Sequence, residues 1–145
     1  MKGGKKVDGF RAALELLQHL NLSEQQTLIA DIARQDPEMA IRLKSQLTTF
    51  DDLQFLTPAM MAKLWPETHV RDWGLALRAS SLEVKEKVLS LLSKNNRADV
   101  EELLRDKPKP LPEVLEAQKR IMDVVLKMKE KGEIVLSKDK SERYV

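Results

Sequence analysis

Apolar residues recur every three or four positions from Phe10 onward: Phe10, Ala13, Leu14 and Leu17 share one side of a helix and leave polar residues on the other. A second stripe, Leu28, Ile29 and Ile32, follows Ser23, which with Gln26 three residues later has the form of a capping box. Asp36-Pro37 marks a third start, ahead of Met39, Ala40 and Leu43, with proline at the first helical position where its missing N–H costs nothing. The mixed stretch "LTTFDDLQFLTP" then breaks the pattern, and its adjacent threonines disfavour helix. Helical periodicity resumes after Thr57-Pro58 in "PAMMAKLW", "HVRDWGLALR" and "LEVKEKVLSLLS", the last with Ser80 as cap and Glu83 as its box partner. In "RADVEELLRDKPKP" the apolar Val100, Leu103 and Leu104 face inward, so Arg97, Glu101 and Arg105 form an outward charged ridge. By itself such alternation of sign usually marks only a solvated helix face, and Glu101 to Arg105 runs in the favoured direction for a local pair. The longest stripe starts near Pro112, joins Val114, Ala117, Ile121, Val124, Val125 and Met128, and ends at Lys129, Lys131 and Gly132 as a helix C-terminus should. Roughly 20 residues at 1.5 Å each make it about 30 Å long, enough for a spine. "EIVL" reads as a brief extended segment, and the tail as flexible.

The first three helices, packed into about 40 residues, resemble one armadillo-type unit, which normally stacks on a neighbour because it cannot bury its stripes alone. Leu28, Ile29, Ile32, Met39 and Leu43 are accordingly expected to form its packing face and to support self-association. Leu47, Thr48, Thr49 and Phe50 stand where a hinge between two halves is expected, with Phe50 as a reversible plug.

Composition supports an all-α protein and removes most chemistries. The chain is 42% hydrophobic and 33% charged with five glycines, a vocabulary of packed helices rather than sheet or disorder. With 25 Lys+Arg against 23 Asp+Glu, evenly spread, a nucleic-acid partner has little electrostatic support. No cysteine is present, which removes a disulfide framework and a thiol nucleophile and agrees with a reducing cytoplasm. His19 and His69 are the only histidines and give no metal-ligand spacing. The glycines do not match a phosphate loop, and Trp65 and Trp73 read as core. "MKGGKKVDGF" lacks the apolar run of an export signal, and no run of about 20 apolar residues spans a bilayer. No catalytic residue, metal or cofactor is assigned, and no enzyme is expected.

Seven segments, "DGFRAALELLQHL", "DPEMA", "FDDL", "LALR", "VKEKVLSLLS", "EAQKRI" and "KGEIVL", change the weight of the charged ridge. In this order and spacing the chain from Asp8 to Val145 resembles the C-terminal region of the bacterial flagellar motor switch protein FliG family. The resemblance implies an armadillo-like three-helix unit (8-46) after a flexible lead (1-7), joined by a connector or hinge (47-57) to a right-handed, superhelical C-terminal domain of six helices (58-137). A flexible tail (138-145) would follow. It also implies a rotor component of the switch complex at the cytoplasmic face of the inner membrane, whose torque helix (96-106) meets the cytoplasmic loop of the stator protein MotA. The switch subunit FliM and neighbouring FliG copies are the other partners it implies.

Carried over by position, the family's lysine before the fourth helix corresponds to Arg78 and its acidic pair to Glu101 and Glu102. Its arginine early in the torque helix falls near Asn95, with Lys94 and Arg97 close by, and its second arginine, in the following loop, falls on Pro110 beside Lys109. Arg78, Arg97, Glu101, Glu102 and Lys109 are therefore the candidate stator-facing charges. In the connector only Phe50 keeps the family's pattern. The family's N-terminal and middle domains have no counterpart here, so the chain is expected to be a fragment or a short paralogue. The alternative to a motor role is a FliG-like scaffold or adaptor without motor contact.

Overall fold

The computed structural model describes residues 2–136, with side chains from Gly9 onward, and among these residues every regular element is helical. None of the described helices is long and apolar enough to cross a membrane. The chain divides into two compact units, Met1–Thr48 and Thr49–Val145.

The first unit holds α1 (Lys2–Gln18), α2 (Leu22–Gln35) and α3 (Pro37–Gln46). Helix α1 thus takes in the segment 2–7 that the sequence suggests is a loose lead. Helix α2 starts two residues before the expected Ser23/Gln26 box. Asn21 is the cap: its side chain accepts from the Glu24 N–H at 2.9 Å, and the Glu24 carboxylate accepts from the Asn21 N–H at 3.1 Å. Asparagine caps as well as serine, and an anionic Glu24 inside the first turn complements the helix dipole better than the neutral Gln26 would. Asp36 caps α3 as expected, accepting from the Met39 N–H at 3.1 Å.

Leu17, Ile29, Ala40, Leu43 and Leu47 are the buried centre of this unit. Two glutamines tie the helix ends together. Gln25 is buried and donates to the Leu17 carbonyl at 2.8 Å. Gln18 meets the backbone of Thr48 on both sides, donating to its carbonyl at 2.9 Å and accepting from its N–H at 2.7 Å. The Arg42 guanidinium lies 4.4 Å from the centre of the Phe10 ring, adding a cation–π contact between α1 and α3.

The second unit begins with a 3-10 helix, Phe50–Phe55, inside the stretch expected to be connector. Its start is fixed by Asp52, whose carboxylate accepts from the Thr49 N–H at 2.8 Å, so a threonine that disfavours helix interiors serves as a cap. Helices α4 (Pro58–Leu64), α5 (Val70–Ala76), α6 (Leu82–Leu91), α7 (Lys94–Leu104) and α8 (Leu111–Glu130) follow. Helix α6 is capped by Ser81 rather than Ser80. The Ser80 hydroxyl is taken by the Leu77 carbonyl at 3.0 Å, while Ser81 accepts from the Val84 N–H and donates to the Asp51 carboxylate at 2.7 Å.

Trp73 is fully buried at the centre of this unit, stacked on Trp65 with ring centres 6.2 Å apart and tilted against Phe50 at 6.3 Å. Its indole N–H donates to the Thr68 hydroxyl at 2.7 Å, so the buried ring leaves no donor unmet. Helix α8 packs along α5, joined to it by Gln118, which donates to the Ala76 carbonyl at 3.0 Å, and by a bidentate pair from Arg120 to Asp72 at 2.9 to 3.2 Å. Hydrogen bonding to Asp72 also raises the Arg120 pKa above its ordinary value. Helix α8 ends in a Schellman motif. Gly132 takes φ +76°, its N–H donates to the Lys129 carbonyl, and the Glu133 N–H donates to the Met128 carbonyl. That turn aims Ile134 and Leu136 into the core as irregular chain, and "EIVL" forms no strand. The tail assigned to 138-145 lies outside the described residues.

Gln18→Ala removes two hydrogen bonds to the half-buried backbone of Thr48, and each such bond contributes about 0.5–1.5 kcal/mol. Urea titration should show that loss in the transition that reports the first unit. An unchanged midpoint would mean water replaces the glutamine at no cost.

Candidate protein-interaction surface

Helix α7 carries the charged ridge, and each part of it has an identifiable cause. Ser93 caps its start, accepting from the Asn96 N–H at 3.2 Å. Val100 is fully buried, and Leu103 and Leu104 are partly buried, so the apolar side is turned into the unit. Lys94, Asn95, Arg97, Ala98, Asp99 and Glu102 are exposed along the rest of the helix.

The five candidate charges do not share one environment. Arg97 and Glu101 pair at 3.5 Å, with side chains 50% and 37% exposed. This replaces the expected Glu101–Arg105 pair, because Arg105 is the C-cap residue, past the last helical position Leu104. Glu102 is exposed and makes no ion pair among the described residues. Lys109, in the loop after α7, pairs with Asp106 at 3.6 Å. The Asp106 carboxyl is held below the ordinary carboxylate range, first by the Lys107 backbone N–H and then by the Lys109 charge.

Arg78 sits apart from the ridge. It donates to the carbonyls of Leu103 at 2.8 Å, Lys107 at 3.0 Å and Asp106 at 3.3 Å, and its Nε is buried with no hydrogen-bond partner among the described residues. Its charge lies against the C-terminal end of α7, where it complements the negative end of the helix dipole. Arg78, Asp106 and Lys109 line one small cleft with Arg71 and Glu113. The lining of that cleft also includes Gly74, a residue whose role the periodicity alone does not expose. A Cβ built on Gly74 would lie 2.6 Å from the Leu103 Cβ, so α5 and α7 approach closely only because position 74 carries no side chain. A lone glycine inside a helical pattern was the available signal.

The other candidate residues fall inside the units. Ile29 and Leu43, assigned to an outward packing face, are buried in the first unit's own core, and Leu28, Ile32 and Met39 are half-buried against it. Three helices meeting at one centre use the stripes for that centre first. Among the described residues of this unit, the large apolar side chains left exposed are Leu16, Leu22 and Ile41. Leu47 and Thr48 are buried within the first unit, whereas Thr49 and Phe50 open the second. Among the described residues no cluster of three or more His, Cys, Asp or Glu side chains is placed to hold a metal.

The family model described as the FliG C-terminal domain matches residues 30–136. The flagellar motor switch protein FliG of Thermotoga maritima is 29% identical over 145 residues, covering 97% of this chain and 42% of its own length. The FliG of Bacillus subtilis is 30% identical over 134 residues, covering 92% of this chain and 40% of its own length. Among solved structures, a crystal structure of a FliG segment from Helicobacter pylori aligns with TM-score 0.68 at 27% identity, over 86% of this chain and 59% of that one. The chain spans about two fifths of the length of these curated relatives.

Because Glu102 is exposed and the Glu101 carboxylate pairs with Arg97 at the surface, Glu101→Lys with Glu102→Lys should leave the fold nearly intact. Each exposed substitution is expected to stay within about 0.5 kcal/mol, and the lost surface pair adds at most about 1 kcal/mol. Circular dichroism should show the same helicity and a melting point within a few degrees of the parent. A much earlier melt would make the pair structural.

Proposed function

We propose that this chain, which belongs to the FliG C-terminal domain family, acts as a non-catalytic rotor component of the flagellar motor and presents the charged face of α7 to the stator. The carrying observation is that α7 keeps an acidic, solvent-facing ridge, Glu101 and Glu102, on a helix whose apolar side is anchored in a packed unit. Charges of this kind add little to the fold, but across an interface they steer encounter, fix register and repel wrong partners. The partner of matching chemistry is the basic part of the MotA cytoplasmic loop. The component would act at the cytoplasmic face of the inner membrane, within the basal body. The first unit is the part proposed to meet FliM and neighbouring FliG copies, and Leu16, Leu22 and Ile41 are its exposed apolar groups.

Motion between the units is proposed to pivot at the junction of Thr48 and Thr49, since Thr48 is held by Gln18 on one side and Thr49 by Asp52 on the other. Spin labels placed one in each unit should give a broad distance distribution. A single narrow distance would contradict the pivot.

One observation favours the adaptor reading. Arg78 faces the end of α7 and Lys109 is paired with Asp106, so the basic half of a two-signed contact is reduced. The two readings separate when this chain replaces the corresponding region of a full-length FliG in cells. Under the motor reading the cells rotate their flagella, Glu101→Lys with Glu102→Lys lowers rotation by on the order of tenfold or more at normal protein levels, and reversing the matching basic charges of the stator loop restores part of it. Rotation at full speed with the doubly reversed ridge sinks the motor reading in favour of the adaptor.

A further inference from the structure

The geometry points to Arg78 and Gly74 as positioning residues that together mount α7 at a fixed angle and depth on α5, so that Arg78 acts through the ridge and does not itself meet the partner. This rests on α7 being the contact helix. The two residues lie one helical turn apart, Gly74 within α5 and Arg78 in the 3-10 turn that follows it, and both act on the last turn of α7. Gly74 sets the depth. With no side chain it admits Leu103, and any Cβ there would meet the Leu103 Cβ at 2.6 Å and its Cδ1 at 2.8 Å. Arg78 sets the angle. Its two terminal nitrogens reach three carbonyls, of Leu103, Asp106 and Lys107, which spans the end of the helix and the loop leaving it. A guanidinium can hold several carbonyls at once because its donors are fixed in a plane, and its charge complements the negative end of the helix. Leu103 receives both contacts, and Glu102 is its immediate neighbour, so a shift at Leu103 carries the ridge with it.

The test compares local with global opening in the intact chain by amide hydrogen exchange of Arg78→Met, Arg78→Lys and Gly74→Ala, read at α7 (Glu101 to Asp106) and at the centre of α8 (Ile121 to Val125). Arg78→Met is expected to speed exchange at the α7 amides by on the order of 10-fold while leaving the α8 amides unchanged. Arg78→Lys should recover part of that protection, since an ammonium still donates to carbonyls but from a single point. Gly74→Ala should loosen the same α7 amides. Adding Leu103→Ala should not restore them, because the 2.6 Å encounter is with the Cβ that alanine keeps. Equal acceleration in α7 and α8 would reduce Arg78 to general stabilisation and overturn the proposal. So would unchanged α7 exchange in Arg78→Met coupled to lost rotation in cells, which would make Arg78 a direct contact. The exchange readout involves no partner, so it fails or succeeds separately from the motor reading.

Discussion

A helix of eleven residues is too short to hold itself together in water, so the charge pattern on α7 exists only as far as its neighbours fix both of its ends. The start is met locally by Ser93. The middle is held by Val100, which is wholly buried. At the C-terminal end the carbonyls receive the Arg78 guanidinium, and the backbone of α5 comes close enough at Gly74 to seat Leu103. The neighbours are themselves rigid. Helix α5 contains Trp73 at the centre of the core and is clamped to α8 by the Asp72–Arg120 and Gln118–Ala76 contacts. The chain of dependence therefore runs from buried tryptophan to α5, from α5 to the end of α7, and from there to the exposed carboxylates.

This arrangement separates two kinds of charge. Asp72 with Arg120, and Arg78 with the α7 carbonyls, are partly withdrawn from water and join elements distant in sequence. Glu102 and the Arg97–Glu101 pair are exposed and local. Partly buried, multiply bonded charges hold structure, while exposed ones contribute little to it and stay available for a partner. Under the proposed motor role, α7 needs both: a stiff mount and a face that can engage and release.

Much of the helical layout was legible in the sequence because its signals are local. Asp36-Pro37 and Thr57-Pro58 mark helix starts by the chemistry of adjacent residues, and the α8 stripe is long enough to be unmistakable. Where two capping residues compete, the local signal is ambiguous. Asn21 prevails over Ser23 and Ser81 over Ser80 because of partners, Glu24 and Asp51, that a pattern search does not rank. The role of Arg78 was out of reach for a different reason. Its carbonyl partners lie 25 to 29 residues away, and the steric meaning of Gly74 depends on Leu103, 29 positions on. The same limit applies to the stripe of the first unit. Periodicity marks Leu28, Ile29, Ile32, Met39 and Leu43 as apolar, but which way the stripe faces is decided by α1, whose Leu17 and Phe10 pack into the same cluster.

The exposed side of α7 is proposed to face the stator. Ala98 is exposed on this helix one turn before Glu102, and Glu130 is exposed at the far end of α8. A photo-crosslinking residue placed at either position, with the chain built into a full-length FliG in motile cells, tests that claim directly. If α7 faces the stator, position 98 cross-links to MotA and position 130 does not. A cross-link from 130 with none from 98 would contradict it.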